Sequence, residues 1–330
     1  MKKITALLVG HASSDIGIGH LTRLLSIAKK MEKGQILRPE LIIFGEFIER
    51  SEFKSIQVHY FPIEKDLQTT LKKFISDKNH NVIIFDLHPS YFTEDIRTLL
   101  IWLKERKKIL IGIDNMYEFS KYLDLVWVPS FYFNPKRVTT KNIKTGWDTY
   151  LIQKNLKSKS WKPGKNILVL TGGSDITNLG TTLPSLLEEN IHHEIVINWV
   201  RGPFSRKPSI PNNTRLEWVV HNSPDQLDNL IVASNYVLTI FGVSLFETLQ
   251  YGIPSVVFSP YGVKDDEAIS SLREEKVAIT AQNEKEATIK LNRLMNNDDL
   301  ALQLSERALD KMSVNGIKGL TDEIYGLVEA

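Results

Sequence analysis

At 330 residues and 42% apolar content, the chain has room for two domains that each bury a core, and it contains no apolar run long enough to cross a bilayer. It has no cysteine, which excludes disulfides, thiol nucleophiles and cysteine metal ligands. The net charge of +2 conceals an asymmetry: residues 1–160 carry 26 Lys and Arg against 17 Asp and Glu, and residues 161–330 carry 15 against 22. A basic first half can meet an anionic acceptor or touch a membrane peripherally; otherwise it is a set of solvated helix faces. The first apolar stretch is too short for a leader or a span, so a cytoplasmic location is expected.

The first strand, Ile4–Val9, is followed by Gly17-Ile18-Gly19-His20-Leu21-Thr22-Arg23 and a helical pattern over His20–Met31, with apolar residues at Leu21, Leu24, Leu25, Ile27, Ala28 and Met31. A strand, a glycine turn and a helix start make an anion pocket, because glycine lets the backbone approach a ligand and the helix N-terminus favours negative charge. His20 sets a titratable group there, and Arg23 lies one turn on. Thr22 stands where a dinucleotide fingerprint would carry its last glycine. The plainer alternative is a tight turn with His20 capping the helix. Apolar strands at Leu41–Phe44, Val82–Phe85, Ile109–Ile113 and Leu125–Val128 alternate with helical patterns at Leu67–Ser76 and Glu94–Glu105, which predicts a parallel sheet. Asp86, beside His88, ends the third strand and points toward the expected crevice.

The polar stretch from Asn134 to Lys165 holds Gly146, Pro163, Gly164 and lysines at 154, 157, 159, 162 and 165. It predicts domains at 1–150 and 166–330 joined by a linker at 151–165. That linker has too few aromatics to suit nucleic acid. The alternation then restarts: strand Ile167–Thr171, helix Leu179–Glu189, strands Glu194–Trp199 and Leu216–Val220, helix Pro224–Ala233, strand Tyr236–Ile240, helix Leu245–Tyr251 and strand Ser255–Phe258, with helices filling the remainder. Two doubly wound domains in tandem are expected to turn the carboxyl ends of their sheets toward a shared crevice.

Two turns in this half suit phosphate. Gly172-Gly173-Ser174-Asp175 follows a strand and precedes a helix. Gly242-Val243-Ser244-Leu245 opens another helix, on which Glu247 can accept two hydrogen bonds from a ribose diol; the alternative is a capping box between Ser244 and Glu247. His192-His193-Glu194 lacks the spacing of a zinc helix, so no metal is expected. Trp127, Trp199 and Trp218 read as core.

Gly17 through Arg23, Ile113-Asp114-Asn115, Gly146 with Tyr150, Gly172 through Asp175, and Ser244-Leu245-Phe246-Glu247 through Gly252-Ile253-Pro254 occur in the order seen in one family. The chain resembles the UDP-sugar hydrolases of pseudaminic acid synthesis and the related spore-coat polysaccharide proteins, which are similar in turn to the N-acetylglucosaminyltransferase acting on lipid-linked peptidoglycan precursor. The resemblance implies an α/β, GT-B type fold of two Rossmann-like domains facing a central cleft, a UDP-sugar substrate and no cofactor. It gives His20 the role of base acting on water, with Asp86 and Asp114 as candidates for orienting it or the nucleophile. Gly17, Gly19, Arg23, Asn115 and Tyr150 fall on the substrate side; Gly172, Gly173, Ser174, Asp175, Gly242, Val243, Ser244, Leu245 and Glu247 fall on the nucleotide side. Val9 and His11 stand where the hydrolases have an arginine and an aspartate, and Asn115 replaces the second member of an Asp-Asp pair. Tyr261 to Glu267 replaces a donor-contacting Asn-Gln or His-Gln pair, a place Asp265 and Asp266 could fill. Hydrolysis is therefore the first expectation, in surface-polysaccharide or nonulosonic acid synthesis. The alternatives are a glycosyltransferase with a glycan, lipid or protein acceptor, and a noncatalytic nucleotide-sugar binder.

Overall fold

The computed structural model describes residues 4–34, 37–48, 53, 55–78, 80–134, 138, 140–175 and 177–329. The chain divides into two compact units, Met1–Ile152 with Val314–Ala330, and Gln153–Ser313.

The first unit is built on β1 (Ile4–Ala12), β2 (Leu37–Gly45), β3 (Gln57–Phe61), β4 (Val82–Asp86), β5 (Ile109–Ile113), β6 (Leu125–Val128) and β7 (Ile143–Thr145), all parallel, in the order β3-β2-β1-β4-β5-β6-β7. The central strands β1 and β4 are largely apolar and buried, as a parallel sheet covered by helices on both faces requires, with polar side chains at His11 and Asp86 near their carboxyl ends. Helix α1 (Gly19–Gly34) buries the stripe that the periodicity predicts, from Leu21 to Met31. Helix α2 (Leu67–Asp77) is capped by Asp66, whose carboxylate accepts from Thr69 N–H, and α3 (Glu94–Glu105) buries Ile96, Leu99, Leu100 and Leu103. The sheet grows outward in opposite directions from β1 and β4, so its switch point, the place where open α/β sheets bind ligands, falls between these two strands.

The second unit repeats this plan. It runs β8 (Asn166–Leu170), α4 (Leu179–Asn190), β9 (Val196–Arg201), β10 (Glu217–Asn222), α5 (Leu227–Ala233), β11 (Tyr236–Ile240), α6 (Val243–Leu249), β12 (Ser255–Phe258), α7 (Asp266–Glu275), β13 (Ile279–Ala281), α8 (Glu284–Met295) and α9 (Asp298–Lys311). The strands are parallel in the order β10-β9-β8-β11-β12-β13, so the reversal falls between β8 and β11. Trp199, Tyr236 and Phe258 fill its core, and Trp127 is buried in the first unit with its indole N–H donating to Thr149 O at 2.7 Å. No helix among the described residues is long and apolar enough to cross a membrane.

Several expectations are corrected. β3, β7 and β13 escape the sequence reading because they are edge strands of three to five residues, and β3 and β7 are only half-buried and carry no continuous apolar run. Part of the polar stretch after Asn134 is sheet: β7 pairs with β6, and Thr149 Oγ1 donates to Val128 O and Gly146 O at 2.7 Å. The last helix, α10 (Gly316–Glu329), belongs to the first unit, whereas the sequence reading places it in the second. It buries Ile317, Leu320 and Ile324, and Gly316 lets it approach the chain at Tyr150 so closely that a Cβ would lie 2.5 Å from the Tyr150 carbonyl oxygen. Substituting Gly316→Val should destabilise the first unit by about 1–3 kcal/mol through overpacking against backbone. Gly326→Ala, on the same helix where a Cβ meets nothing, should be neutral or stabilise by up to about 1 kcal/mol. Urea denaturation of the two variants checks this.

Candidate active site

The loop after β1 is shaped by Ser13, whose carbonyl accepts from Gly17 N–H at 2.7 Å and whose hydroxyl accepts from Ile16 N–H at 3.2 Å. Gly17 has φ +83°, a conformation that glycine adopts without strain. Helix α1 then starts at Gly19, which places His20 in its first turn. The helix lies close on the sheet because β1 offers no side chain beneath it at Gly10, where a Cβ would come 2.6 Å from Leu24 Cδ1 and 3.1 Å from Asp86 O. The register pairs Gly10 with Asp86. Side chains from the first turns of α1 therefore reach the end of β4.

They meet there on one buried carboxylate. His20 Nδ1 lies 2.6 Å from Asp86 Oδ1, and Arg23 forks onto the same group, Nε to Oδ2 at 2.8 Å and Nη2 to Oδ1 at 2.7 Å. Arg23 Nη2 also pairs with Asp114 Oδ2 at 3.1 Å. Asp86 has no solvent exposure. Burial alone would raise its carboxyl, but the Arg23 guanidinium and His20 outweigh burial and hold it far below the usual carboxylate range. Arg23 in turn is kept protonated more firmly than usual, because Asp86 and Asp114 outweigh the burial that opposes its charge. An ionised carboxylate can only accept, so the His20 nitrogen facing it carries a proton, and in the neutral ring the lone pair is then on Nε2. The 3.1 Å approach of Arg23 Nη2 to His20 Nδ1 is then a contact between two donors that share Asp86 Oδ1.

Two further histidines frame this group. His88 meets the His20 ring edge-on at 5.9 Å between centroids, and its backbone N–H donates to His11 Nδ1 at 3.0 Å. His11 packs on Tyr91 and is 2% exposed. Burial, with His20 and His88 nearby, lowers it to about 3, so it stays neutral as an acceptor for the turn that carries His88. Asp114 holds the left-handed region at φ +59°, uncommon for a residue with a side chain and a form of strain found at functional sites. Asn115 follows it, half-buried. Tyr150, expected on the substrate side, is buried in the first unit with its carbonyl against α10 at Gly316; burial, with Tyr132 and Asp114 adding to it, keeps its hydroxyl protonated well above the ordinary range even with a hydrogen bond from the Phe131 backbone.

In the second unit the glycine turn after β8 has Gly172 at φ +87°, and Gly173 O accepts from Phe204 N–H at 3.1 Å. The Asp175 carboxylate accepts from Leu179 N–H and Gly180 N–H, both at 2.9 Å, and so caps α4. Burial raises its carboxyl nonetheless. The hydroxyl oxygens of Thr171 and Ser174 are buried without a hydrogen-bond partner among the described residues, which leaves two donors for a ligand oxygen. The sequence reading singles out Ser174 and misses Thr171, although Thr171 is the residue that enters the glycine turn. After β11, Gly242 is the cap of α6 and no side chain caps it; Val243, Ser244 and Leu245 lie within the helix, so the expected alternative of a capping box does not form. A Cβ on Gly242 would meet nothing within 4 Å, so the backbone there faces open space. Glu247 is half-buried, one turn along. Asp265 accepts from Ser259 Oγ at 2.6 Å and Asp266 opens α7. Among the described residues no group of three His, Asp or Glu is arranged to hold a metal ion.

The neutrality of His11 has a pH signature. In the unfolded chain it takes up a proton near 6.5 and in the folded chain only near 3, so between these values unfolding binds protons and stability falls as pH falls. His11→Asn keeps an acceptor for His88 N–H and removes the titration. Urea unfolding between pH 7 and 4.5 should show the wild type losing about 1.4 kcal/mol more per pH unit below 6.5 than the variant.

No protein-family model matches the chain. It is 29% identical over 280 residues to an uncharacterized protein of Methanocaldococcus jannaschii; the match covers 76% of this chain and 54% of that protein, so the chain spans about half the length of this curated relative. Among solved structures it is similar to MurG of Acinetobacter baumannii, with a TM-score of 0.67 at 13% identity over 98% of this chain and 99% of that one. It is similar also to spinosyn forosaminyltransferase, with a TM-score of 0.70 at 10% identity over the whole of both chains. The UDP co-structure of S. aureus MnaA matches with a TM-score of 0.65 at 11% identity, over 99% of this chain and 97% of that one. At these identities the likeness establishes the fold: two parallel-sheet α/β units of the GT-B type.

Proposed function

We propose that the protein transfers a glycosyl group from a UDP-sugar to an acceptor hydroxyl, with His20 Nε2 as general base. The observation that carries this is the 2.6 Å contact between His20 Nδ1 and the buried Asp86, at the point where the first sheet reverses direction. A histidine fixed in this way presents its other nitrogen to a proton donor. As the acceptor oxygen attacks the anomeric carbon, its proton passes to Nε2. The bond from that carbon to the UDP oxygen breaks, and UDP leaves with the electron pair. Asp86 stays ionised and stabilises the imidazolium that forms, while Arg23 fixes Asp86 and so the aim of the ring.

The nucleotide is assigned to the second unit. Thr171 and Ser174 offer unpartnered hydroxyls beside the Gly172-Gly173 backbone for the diphosphate. Glu247 takes the ribose diol, a role that rests on the resemblance. Solved neighbours that are glycosyltransferases or were obtained with UDP support a nucleotide-sugar donor. This route takes its charge stabilisation from hydrogen-bond donors and needs no metal. A lipid-linked acceptor would suit the basic first half of the chain.

A second reading, hydrolysis, is favoured by the Gly17 to Arg23 loop, which resembles that of the pseudaminic-acid-pathway hydrolases; water then takes the place of the hydroxyl, and the same nitrogen accepts its proton. The test is UDP release from a panel of UDP-sugars, 2,4-diacetamido-trideoxyhexoses included, with and without glycan, lipid and protein acceptors. Release that requires an acceptor supports transfer, and equal release without one selects hydrolysis. Binding of UDP with no release under either condition would leave a noncatalytic binder. In either enzymatic case His20→Ala should lower turnover by about 10²–10⁴-fold. Asp86→Asn should lower it comparably by admitting the wrong tautomer.

A further inference from the structure

The second unit holds a cationic depression that the proposed chemistry does not use. It lies along β13, the strand at the open edge of the sheet, between the end of α7 and the faces of α8 and α9, and measures about 370 Å³. Four cations converge on it, Arg273, Lys276, Lys290 and Arg307, and no carboxylate lines it among the described residues. This runs against the background, since residues 161–330 carry more acids than bases. Two of the cations are partly engaged: Arg273 Nε donates to Thr280 Oγ1 at 3.0 Å, and Lys290 Nζ donates to Thr280 O at 2.8 Å and pairs with Glu286 at 2.8 Å. Lys276 and Arg307 make no ion pair with the described residues, so two full charges face the same space unneutralised.

Lys276 adds a second, independent observation. It ends α7 in the left-handed region, at φ +52°, where glycine is the usual residue. A lysine held there at a cost in backbone strain puts a charge at the rim that a glycine would not supply. The floor is apolar, formed by Ile279, Leu300 and Leu304. Converging cations around an apolar floor, in a volume typical of small-molecule sites, suit a ligand with a multiply charged head and a less polar body.

We propose that this depression is a second binding site, for a phosphorylated small molecule of nucleotide or sugar-phosphate size. It shares no residue with the turns after β8 and β11, and its occupation is independent of what those turns bind.

The experiment is calorimetric titration of the full chain with uridine 5′-monophosphate, adenosine 5′-monophosphate and glucose 1-phosphate at about 150 mM salt, which screens diffuse attraction. It is paired with amide hydrogen exchange to locate the ligand. Saturable binding with protection confined to residues 273–281 and 300–307 is expected. Lys276→Gly relieves the backbone while deleting the charge, so it should fold at least as stably as wild type. Combined with Arg307→Glu, it should weaken binding at least tenfold and leave UDP release from UDP-sugars unchanged. Failure of the UDP-release assay alone would overturn the proposed function and not this site. Absence of saturable binding, binding undiminished in the double variant, or protection appearing only with anionic phospholipid vesicles would each overturn it.

Discussion

The carboxylate of Asp86 has no contact with water and remains ionised, and the carboxyl ends of the first sheet are arranged around that fact. A buried charge left unpaired costs several kcal/mol, so the fold must bring it partners. It does so from a single helix: Arg23 supplies a fork of two hydrogen bonds, and His20, three residues earlier on the same face, supplies a third. Structural need and chemical use coincide here. The pairing that makes the buried carboxylate tolerable also holds a proton on His20 Nδ1 and leaves Nε2 outside that contact.

That arrangement depends on where side chains are missing as much as on where they are present. Gly10 removes the atom that would hold α1 off the sheet, and Gly17 turns the chain so that the helix begins within reach of β4. The second unit uses the same place in the same topology differently. There Asp175 caps α4, and hydroxyls rather than charges are left without partners. One plan thus yields a loop with a carboxylate-paired histidine in the first unit and a loop with unpartnered hydroxyls in the second.

Much of this is legible in the residues alone. The apolar strands of both sheets, the stripe on α1, and the glycine turns at Gly17–Gly19 and Gly172–Gly173 announce themselves by composition and period. His20, Arg23 and Asp86 could be singled out because strand ends in a parallel sheet converge. That they form one hydrogen-bonded cluster could not, since it follows from the register of β1 with β4. Asp175 sits in a glycine-containing turn of the expected kind but is drawn into capping, and only three-dimensional context decides between that use and a ligand. The edge strands β3 and β7 are invisible because half-exposed residues carry no sustained pattern.

The chain's last helix shows most clearly what a linear reading lacks. By position α10 should complete the second unit, yet its apolar stripe is buried in the first, and it packs against α1. At the far end of that contact the Tyr325 hydroxyl lies where a Cβ on Gly34, the last residue of α1, would be. The helix that presents His20 and Arg23 is therefore held from one side by the sheet and from another by a segment some 300 residues later in the sequence. Because interiors are closely packed, the direction of α1 cannot relax independently of either support. The position of the imidazole over Asp86 is a property of the closed first unit, with both ends of the chain contributing to it, and not of the glycine loop by itself.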